Sequence, residues 1–326
     1  MKITVLGAGA WGTALARMLA SRDQAVTLWD YFPETLERIQ RTGQNERYLP
    51  GIVLPGDLQL QADALKAVES AELIVVASVS KGFRAVTRHL ADFGGIVVSV
   101  SKGIEYETGL TMSGILEQNA PHARVVAMSG PTLAMEVARG VPTAIVAAST
   151  DAAAAQTVQA LFHSAEFRIY TSGDVLGVEL GGALKNVIAI GAGVCDGLGF
   201  GDNSKAALVT RSISEMRRLG VACGAQAETF TGLSGLGDLM VTCFSKLSRN
   251  RGFGERLGRE EKAEAIVGSM VAVAEGYPTS RAAHELARKR KVVTPVIDEV
   301  YAMLYEGKDV RKAVQDVTAR ESKAED

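Results

Sequence analysis

The sequence predicts an α/β protein: a doubly wound, mostly parallel sheet followed by an all-α second domain. Three observations carry this expectation. Short Val- and Ile-rich runs alternate with helical stretches through the first half of the chain. A glycine-rich G-x-G-x-x-G string directly follows the first of those runs. No convincing strand appears after the turn-type cluster Thr171-Ser172-Gly173-Asp174. At 326 residues the chain also exceeds what one hydrophobic core usually serves. The expected division is 1–173 and 174–326.

The expected strands are Ile3–Leu6, Val26–Trp29, Leu73–Ala77, Ile96–Val100, Val125–Met128, Ala144–Ala148 and Phe167–Tyr170. They lack strict polar alternation, as strands buried on both faces do. Helical patterns at Trp11–Ser21, Pro33–Arg41 and Lys81–Ala91 fall between them, which demands crossover connections. The second half reads as helices over Asp174–Val194, Ser204–Cys223, Gln226–Thr242, Asn250–Leu257, Thr279–Lys291 and Pro295–Tyr305. The charged tail from Arg320 to Asp326 is expected to fray.

Composition narrows the function classes. Apolar residues make up 47% and charged residues 22%, an ordinary globular balance. A net charge of −2 gives no global attraction to nucleic acid or an anionic membrane. Cys195, Cys223 and Cys243 are few, odd in number and widely spaced, which fits free thiols in a reducing compartment. Neither they nor the four histidines fall at metal-ligand spacing, so no metal is expected. No apolar run of 18 residues is free of charge, and the N-terminus lacks a signal-peptide pattern. The expectation is a cytoplasmic protein without membrane insertion.

Gly7-Ala8-Gly9-Ala10-Trp11-Gly12 sits between the first strand and the first helix. In that place Gly7 permits a tight turn, Gly9 lets the backbone approach a pyrophosphate, and Gly12 lets helix and strand pack closely. Asp30 ends the second strand 18 residues beyond Gly12, where an acid can accept hydrogen bonds from an adenosine ribose. It is also a common turn former. Ligands in open parallel sheets lie beyond the carboxyl ends of the strands. Those ends carry Asp30-Tyr31, Ser78-Val79-Ser80, Ser101-Lys102-Gly103 and Ser129-Gly130-Pro131-Thr132. The serines read as ordinary loop residues. Lys102 reads as a cation at the crevice mouth.

Val178–Val194 is apolar on nearly every face, with Glu179, Lys185 and Asn186 its strongly polar members. A lysine central to such a helix is costly unless it is paired or opens onto a cleft. Partial desolvation would lower its pKa towards neutrality and suit it to proton transfer. The histidines read as structural: His89 and His284 in charged, exposed helices, His122 and His163 near helix ends. Asp238 of Gly235-Leu236-Gly237-Asp238 could pair with Lys185. Ser248-Arg249-Asn250-Arg251, opening a helix, suits a phosphate or a plain helix cap.

Taken together these segments resemble the bacterial type of NAD(P)-dependent glycerol-3-phosphate dehydrogenase. The similarity runs through Gly7–Ala16, Ser101–Glu105, Ser129–Thr132, Gly181–Ala189, Gly235–Leu239, Ser248–Arg251 and Glu275-Gly276. The resemblance implies a Rossmann domain before a helical substrate domain. It also implies interconversion of dihydroxyacetone phosphate and sn-glycerol 3-phosphate for glycerophospholipid synthesis, with Lys185 as proton donor and acceptor. Implied substrate contacts are Lys102, Gly130, Thr132, Lys185, Asp238, Ser248, Arg249 and Asn250. Implied cofactor contacts are Ala10, Trp11, Tyr31, Lys102, Ala134, Arg249, Val273 and Glu275, beside the glycine loop and Asp30 read above. Three positions depart: Ala10 stands where many members carry Ser, Val79 where Pro is usual, and Asp30 where many members have no acid.

The cofactor is expected to be NAD or NADP, with Asp30 favouring NAD through repulsion of a 2′-phosphate. Arg38 and Arg41 on the next helix are expected to face solvent. Rival readings are another reductase of similar architecture, such as a ketopantoate reductase or β-hydroxyacid dehydrogenase, and a non-enzymatic nicotinamide sensor. The apolar helices of the second half, and the resemblance, point to a homodimer.

Overall fold

The computed structural model describes residues 1–319; the tail expected to fray lies outside the described residues. Eight strands form one sheet: β1 (Lys2–Leu6), β2 (Ala25–Trp29), β3 (Gln59–Gln61), β4 (Leu73–Val76), β5 (Ile96–Ser99), β6 (Arg124–Ser129), β7 (Thr143–Ala148) and β8 (Phe167–Ser172). Their order is β3-β2-β1-β4-β5-β6-β7-β8. The chain winds outward from β1 to β3, then returns to lay β4 on the other side of β1. That reversal opens a crevice beyond the carboxyl ends of β1 and β4. Every neighbouring pair is parallel except β6–β7.

Helices α1 (Ala10–Ala20), α2 (Pro33–Thr42), α3 (Ala64–Glu69), α4 (Ser80–Thr87), α5 (Met112–Asn119), α6 (Ala134–Ala138) and α7 (Ala152–Phe162) alternate with the strands. The β6–β7 connection holds the five-residue α6, and the chain doubles back so that β7 runs antiparallel to β6. All seven expected strands form. The structure adds β3, whose Gln-Leu-Gln sequence at the sheet edge is too short and polar to stand out. The helix expected over Lys81–Ala91 instead ends at Thr87 and tightens into a 3₁₀ turn over Arg88–Leu90.

After β8 the described chain is helical: α8 (Val175–Gly197), α9 (Asp202–Cys223), α10 (Asp238–Phe244), α11 (Arg249–Gly258), α12 (Ala263–Ser269), α13 (Gly276–Arg290), α14 (Pro295–Tyr305) and α15 (Val310–Thr318). Helix α8 is the axis of this domain, buried continuously from Gly177 to Cys195. By length and apolarity it could cross a membrane, yet 89% of its most apolar window is buried inside the protein. Its hydrophobicity serves the core. Helix α11 crosses it backbone to backbone. A Cβ on Gly193 would overlap the Arg251 carbonyl, so glycine is required there.

The single helix expected over Gln226–Thr242 is broken. A 3₁₀ stretch over Ala227–Thr231 and a wide π turn over Leu233–Gly237 precede α10. Gly232, Gly235 and Gly237 lower the helical preference, and Gly235 packs directly on the Phe230 backbone. The break delivers Asp238 at the start of a fresh helix. Helices α12 and α15 were also absent from the expectation; both are short, and few of their residues are buried.

Candidate active site

The glycine loop has the geometry its sequence demands. Gly7 adopts φ +115°, and a Cβ there would press on the Ala77 carbonyl oxygen at 2.7 Å. A Cβ on Gly12 would overlap the Gly7 carbonyl, while space around Gly9 is open. No side chain caps the N-terminus of α1, and its first turn carries no acid. Its leading amides therefore face the crevice as donors, a fit for the pyrophosphate of a dinucleotide.

Asp30 leaves β2 towards this loop. Its Oδ2 accepts a hydrogen bond from the Ala8 amide at 2.6 Å, and Oδ1 accepts from the Phe32 amide at 2.9 Å. Burial pushes its carboxyl up against those two amides and is the larger effect. Asp30 is thus both turn former and anchor of the glycine loop, with lone pairs left for a further donor. Tyr31 is exposed beside it and meets Phe32 edge to face at 5.2 Å. Arg38 and Arg41 are exposed, as expected. Val79, standing where proline is usual, holds φ −64°, the angle a proline ring would impose. The loop keeps the proline-compatible backbone without the ring.

The strand ends and the helical domain meet at one carboxylate. Asp238 Oδ1 lies 2.9 Å from Lys185 Nζ, and Oδ2 lies 2.5 Å from Lys102 Nζ. Lys102 comes from the loop after β5 and also donates to the Gly130 carbonyl after β6 at 3.0 Å. Lys185 comes from the middle of α8 and donates to Thr242 Oγ1 at 2.8 Å. Thr242 in turn donates to the Asp238 carbonyl at 2.6 Å. Burial lowers the Lys185 pKa to about 8, Asp238 partly opposing the fall and Lys102 adding to it. Burial alone would raise the Asp238 carboxyl, but Lys102 and Lys185 together hold it below its usual range. The result is an amine that exchanges a proton near neutrality beside a fixed anion.

The remaining expected contacts are found in varied states. Thr132 Oγ1 donates to the Gly130 carbonyl at 3.1 Å, and Ala134 opens α6. Ser248 caps α11, its Oγ accepting from the Arg251 amide at 3.2 Å. Arg249 follows it, exposed. Asn250 is tied at both ends: Nδ2 donates to Asn186 Oδ1 at 2.8 Å, and Oδ1 accepts from the Gly276 amide at 2.9 Å. One amide hydrogen of Asn250 remains free for a ligand. Val273 is exposed. Glu275 is turned to Ser80, accepting from its amide at 3.0 Å and its hydroxyl at 2.5 Å. Ala10 and Trp11 form the first turn of α1.

Three participants escaped the sequence reading. Thr242 had a signal, since it lies one helical turn after Asp238 on α10. In sequence Ser80 reads as a loop serine and Asn186 only as a polar residue of the helix. His89 and His284 are not exposed residues as expected: both are partly buried, and His284 is paired with Asp298 at 2.8 Å and stacked on Tyr301 at 4.1 Å. Burying an imidazole face on a tyrosine ring explains the difference for His284. All three cysteines are free. Among the described residues no group of three or more His, Cys, Asp and Glu is placed to hold a metal ion.

A dinucleotide crevice at the switch point of a parallel sheet, facing a buried lysine on a helical domain, defines a nicotinamide-dependent oxidoreductase. The comparisons narrow this class. The model described as NAD-dependent glycerol-3-phosphate dehydrogenase N-terminus matches residues 2–155, and the C-terminus model of the same description matches 174–315. The chain belongs to the NAD-dependent glycerol-3-phosphate dehydrogenase family. It is similar to the glycerol-3-phosphate dehydrogenase [NAD(P)+] of Syntrophotalea carbinolica, 47% identical, covering 100% of this chain and 99% of the relative. The corresponding protein of Chlorobium limicola is 44% identical over 100% and 99%. The crystal structure of glycerol-3-phosphate dehydrogenase from Coxiella burnetii superimposes with a TM-score of 0.95 at 36% identity, covering 98% of this chain and 99% of that one. A ketopantoate reductase from Ralstonia eutropha shares the fold alone, at 17% identity and a TM-score of 0.62.

Proposed function

We propose that this enzyme interconverts dihydroxyacetone phosphate and sn-glycerol 3-phosphate, with Lys185 as proton donor and acceptor. The observation that carries the reading is the Lys102–Asp238–Lys185 cluster at the mouth of the dinucleotide crevice. The bound nicotinamide supplies or accepts the hydride. In the reducing direction Lys185 Nζ gives its proton to the carbonyl oxygen as that oxygen becomes a hydroxyl. In the oxidising direction the neutral amine takes the hydroxyl proton back. Asp238 and Thr242 fix where Nζ points, and the second ammonium, on Lys102, stabilises negative charge developing on the oxygen. Proton transfer of this kind contributes on the order of 10²–10⁴-fold in rate.

Gly130, Thr132, Ser248, Arg249 and Asn250 hold the substrate and its phosphate in this reading, Arg249 as the exposed guanidinium beside a helix N-terminus. Gly7, Gly9, Ala10, Trp11, Gly12, Asp30, Tyr31, Ala134, Val273 and Glu275 line the cofactor's path. The product would supply the backbone of glycerophospholipids. The free cysteines suit a cytoplasmic setting, and exposed Phe200, Val221, Met240, Phe244 and Leu247 on the helical domain suit a homodimer. Light scattering at micromolar concentration tests the dimer. The central test is a spectrophotometric assay with dihydroxyacetone phosphate and NADH or NADPH. Lys185→Ala should lose turnover while still quenching or shifting the fluorescence of the reduced cofactor. Near-normal turnover by that variant would remove Lys185 from the mechanism.

A further inference from the structure

Two glutamates of the helical domain reach across to cap helices of the sheet domain. Glu179 on α8 accepts from the Ser113 amide at 2.8 Å and from its hydroxyl at 2.5 Å. Glu275 grips Ser80 in the same bidentate way. Ser113 and Ser80 lie in the first turns of α5 and α4, whose own N-cap residues, Thr111 and Val79, make no side-chain cap. Each carboxylate therefore satisfies a donor that the local sequence leaves open.

The Glu179 grip matters because of what surrounds it on α8. Glu179, Gly182 and Asn186 share one face of the helix, at i, i+3 and i+7. The lysine stands next to this face, and the helix around it is smooth. A Cβ on Gly182 would overlap Ser129 Oγ, and one on Gly181 would come within 2.7 Å of the Ser234 carbonyl. Such glycines allow close approach but provide no knob that keys the helix into a hole. A smooth helix resists sliding and rotation weakly, so polar contacts must fix its place. Asn186 is tied to Asn250, inside the helical domain. Among the described residues, Glu179 is the one α8 side chain hydrogen-bonded to the sheet domain, through Ser113 and the adjoining Thr111. Lys102 holds Asp238 to that domain from the other side.

We propose that Glu179 is a positioning residue for Lys185: its bidentate grip on Ser113 sets where the lysine helix sits against the sheet domain. The inference rests on the reading of Lys185 as the proton donor. A misplacement of about 1 Å costs up to 10²-fold in rate, so a lost register is read in turnover while substrate and cofactor are still bound.

The test compares Glu179→Ala, Glu179→Gln and Ser113→Ala at a temperature where circular dichroism shows each folded. Glu179→Ala should lower kcat by roughly 10–100-fold and leave the KM for cofactor within about twofold. Glutamine can still accept from the Ser113 amide and hydrogen-bond its hydroxyl, so Glu179→Gln should keep kcat within about threefold. Folded Glu179→Ala with wild-type kcat, or equal loss in the alanine and glutamine variants, would overturn the proposal. If Glu179→Ala does not fold, Ser113→Ala decides: reduced kcat at unchanged cofactor KM supports the role, and wild-type kcat overturns it. Lys185→Ala, run alongside, separates the two ideas. Inactive Lys185→Ala with fully active Glu179→Ala sinks only the positioning role, whereas an active Lys185→Ala sinks the reading beneath it.

Discussion

Lys185 Nζ and Asp238 Oδ1 face each other at 2.9 Å inside the protein, and the same carboxylate holds Lys102 on its other oxygen. Two cations against one buried anion is an unequal arrangement. In the proposed mechanism it leaves a net positive charge where the carbonyl oxygen turns negative. It also sets the proton affinity of Lys185 by competition between burial, Asp238 and Lys102.

Removing the anion tests that competition. In Asp238→Asn, Lys185 loses the charge that raises its pKa and keeps the burial and the Lys102 repulsion that lower it. Less of the amine should then be protonated at pH 7, and reduction of dihydroxyacetone phosphate should fall, by up to about 10²-fold. Its pH midpoint should move below about 8. A kcat–pH profile centred where the wild type's is would show that Asp238 does not tune the lysine.

The wild type should show opposite pH limbs in its two directions. With Lys185 as the proposed proton donor and acceptor, reduction uses the protonated amine and should decline as pH rises through about 8, whereas oxidation uses the neutral amine and should rise there. Lys102→Met removes a repelling charge and frees Asp238 to act on Lys185 alone, so both limbs should shift to higher pH. The rate itself will fall, since Lys102 lines the site; the diagnostic quantity is the midpoint. Full pH–kcat curves for both directions in both proteins check this.

A separate carboxylate governs stability. Glu215 on α9 accepts from the Val296 amide at 3.1 and 3.0 Å and from the Ile297 amide at 3.4 Å, capping α14. Burial outweighs those bonds and lifts its pKa from 4.5 to about 7. The folded state therefore binds this proton more tightly than the unfolded state, and stability is lost as pH rises from about 4.5 to about 7. The loss is of the order of 3 kcal/mol, at about 1.4 kcal/mol per pKa unit. Glu215→Gln can still accept from both amides and cannot ionise. Urea unfolding at pH 5 and pH 8 should show a smaller difference for the variant than for the wild type.

Much of this site was legible because its chemistry is local in sequence. Gly7, Gly9 and Gly12 are spaced for one turn, and Lys185 is conspicuous in an apolar helix. Asp238 was found for the same reason, as a charge among glycines. What sequence did not reveal are partnerships between distant segments. Ser80 lies 195 residues from Glu275, and Ser113 lies 66 from Glu179. A serine after a strand looks like any loop serine until the fold brings a carboxylate to it. The break before α10 was hidden for a related reason. Its apolar residues kept helical spacing, and the packing of Gly235 on the Phe230 backbone decided the path.

Cofactor preference turns on Asp30. Its carboxylate is held at the loop by the Ala8 and Phe32 amides, so it cannot swing aside without losing both bonds. A fixed acid at the end of β2 disfavours a 2′-phosphate by charge repulsion and leaves lone pairs for a ribose hydroxyl. The wild type should therefore show a higher kcat/KM with NADH than with NADPH. Asp30→Gly would also release the glycine loop, which confuses charge with architecture. Asp30→Asn is the cleaner variant, because its amide oxygen can still accept from Ala8 while the charge is gone. That change should relax the NADH/NADPH ratio by about 1–3 kcal/mol, roughly 5- to 150-fold, the scale of a hydrogen bond to a charged group. Steady-state kinetics with both cofactors measures it. A wild type preferring NADPH, or an unchanged ratio in Asp30→Asn, would leave Asp30 with the loop anchor as its whole role.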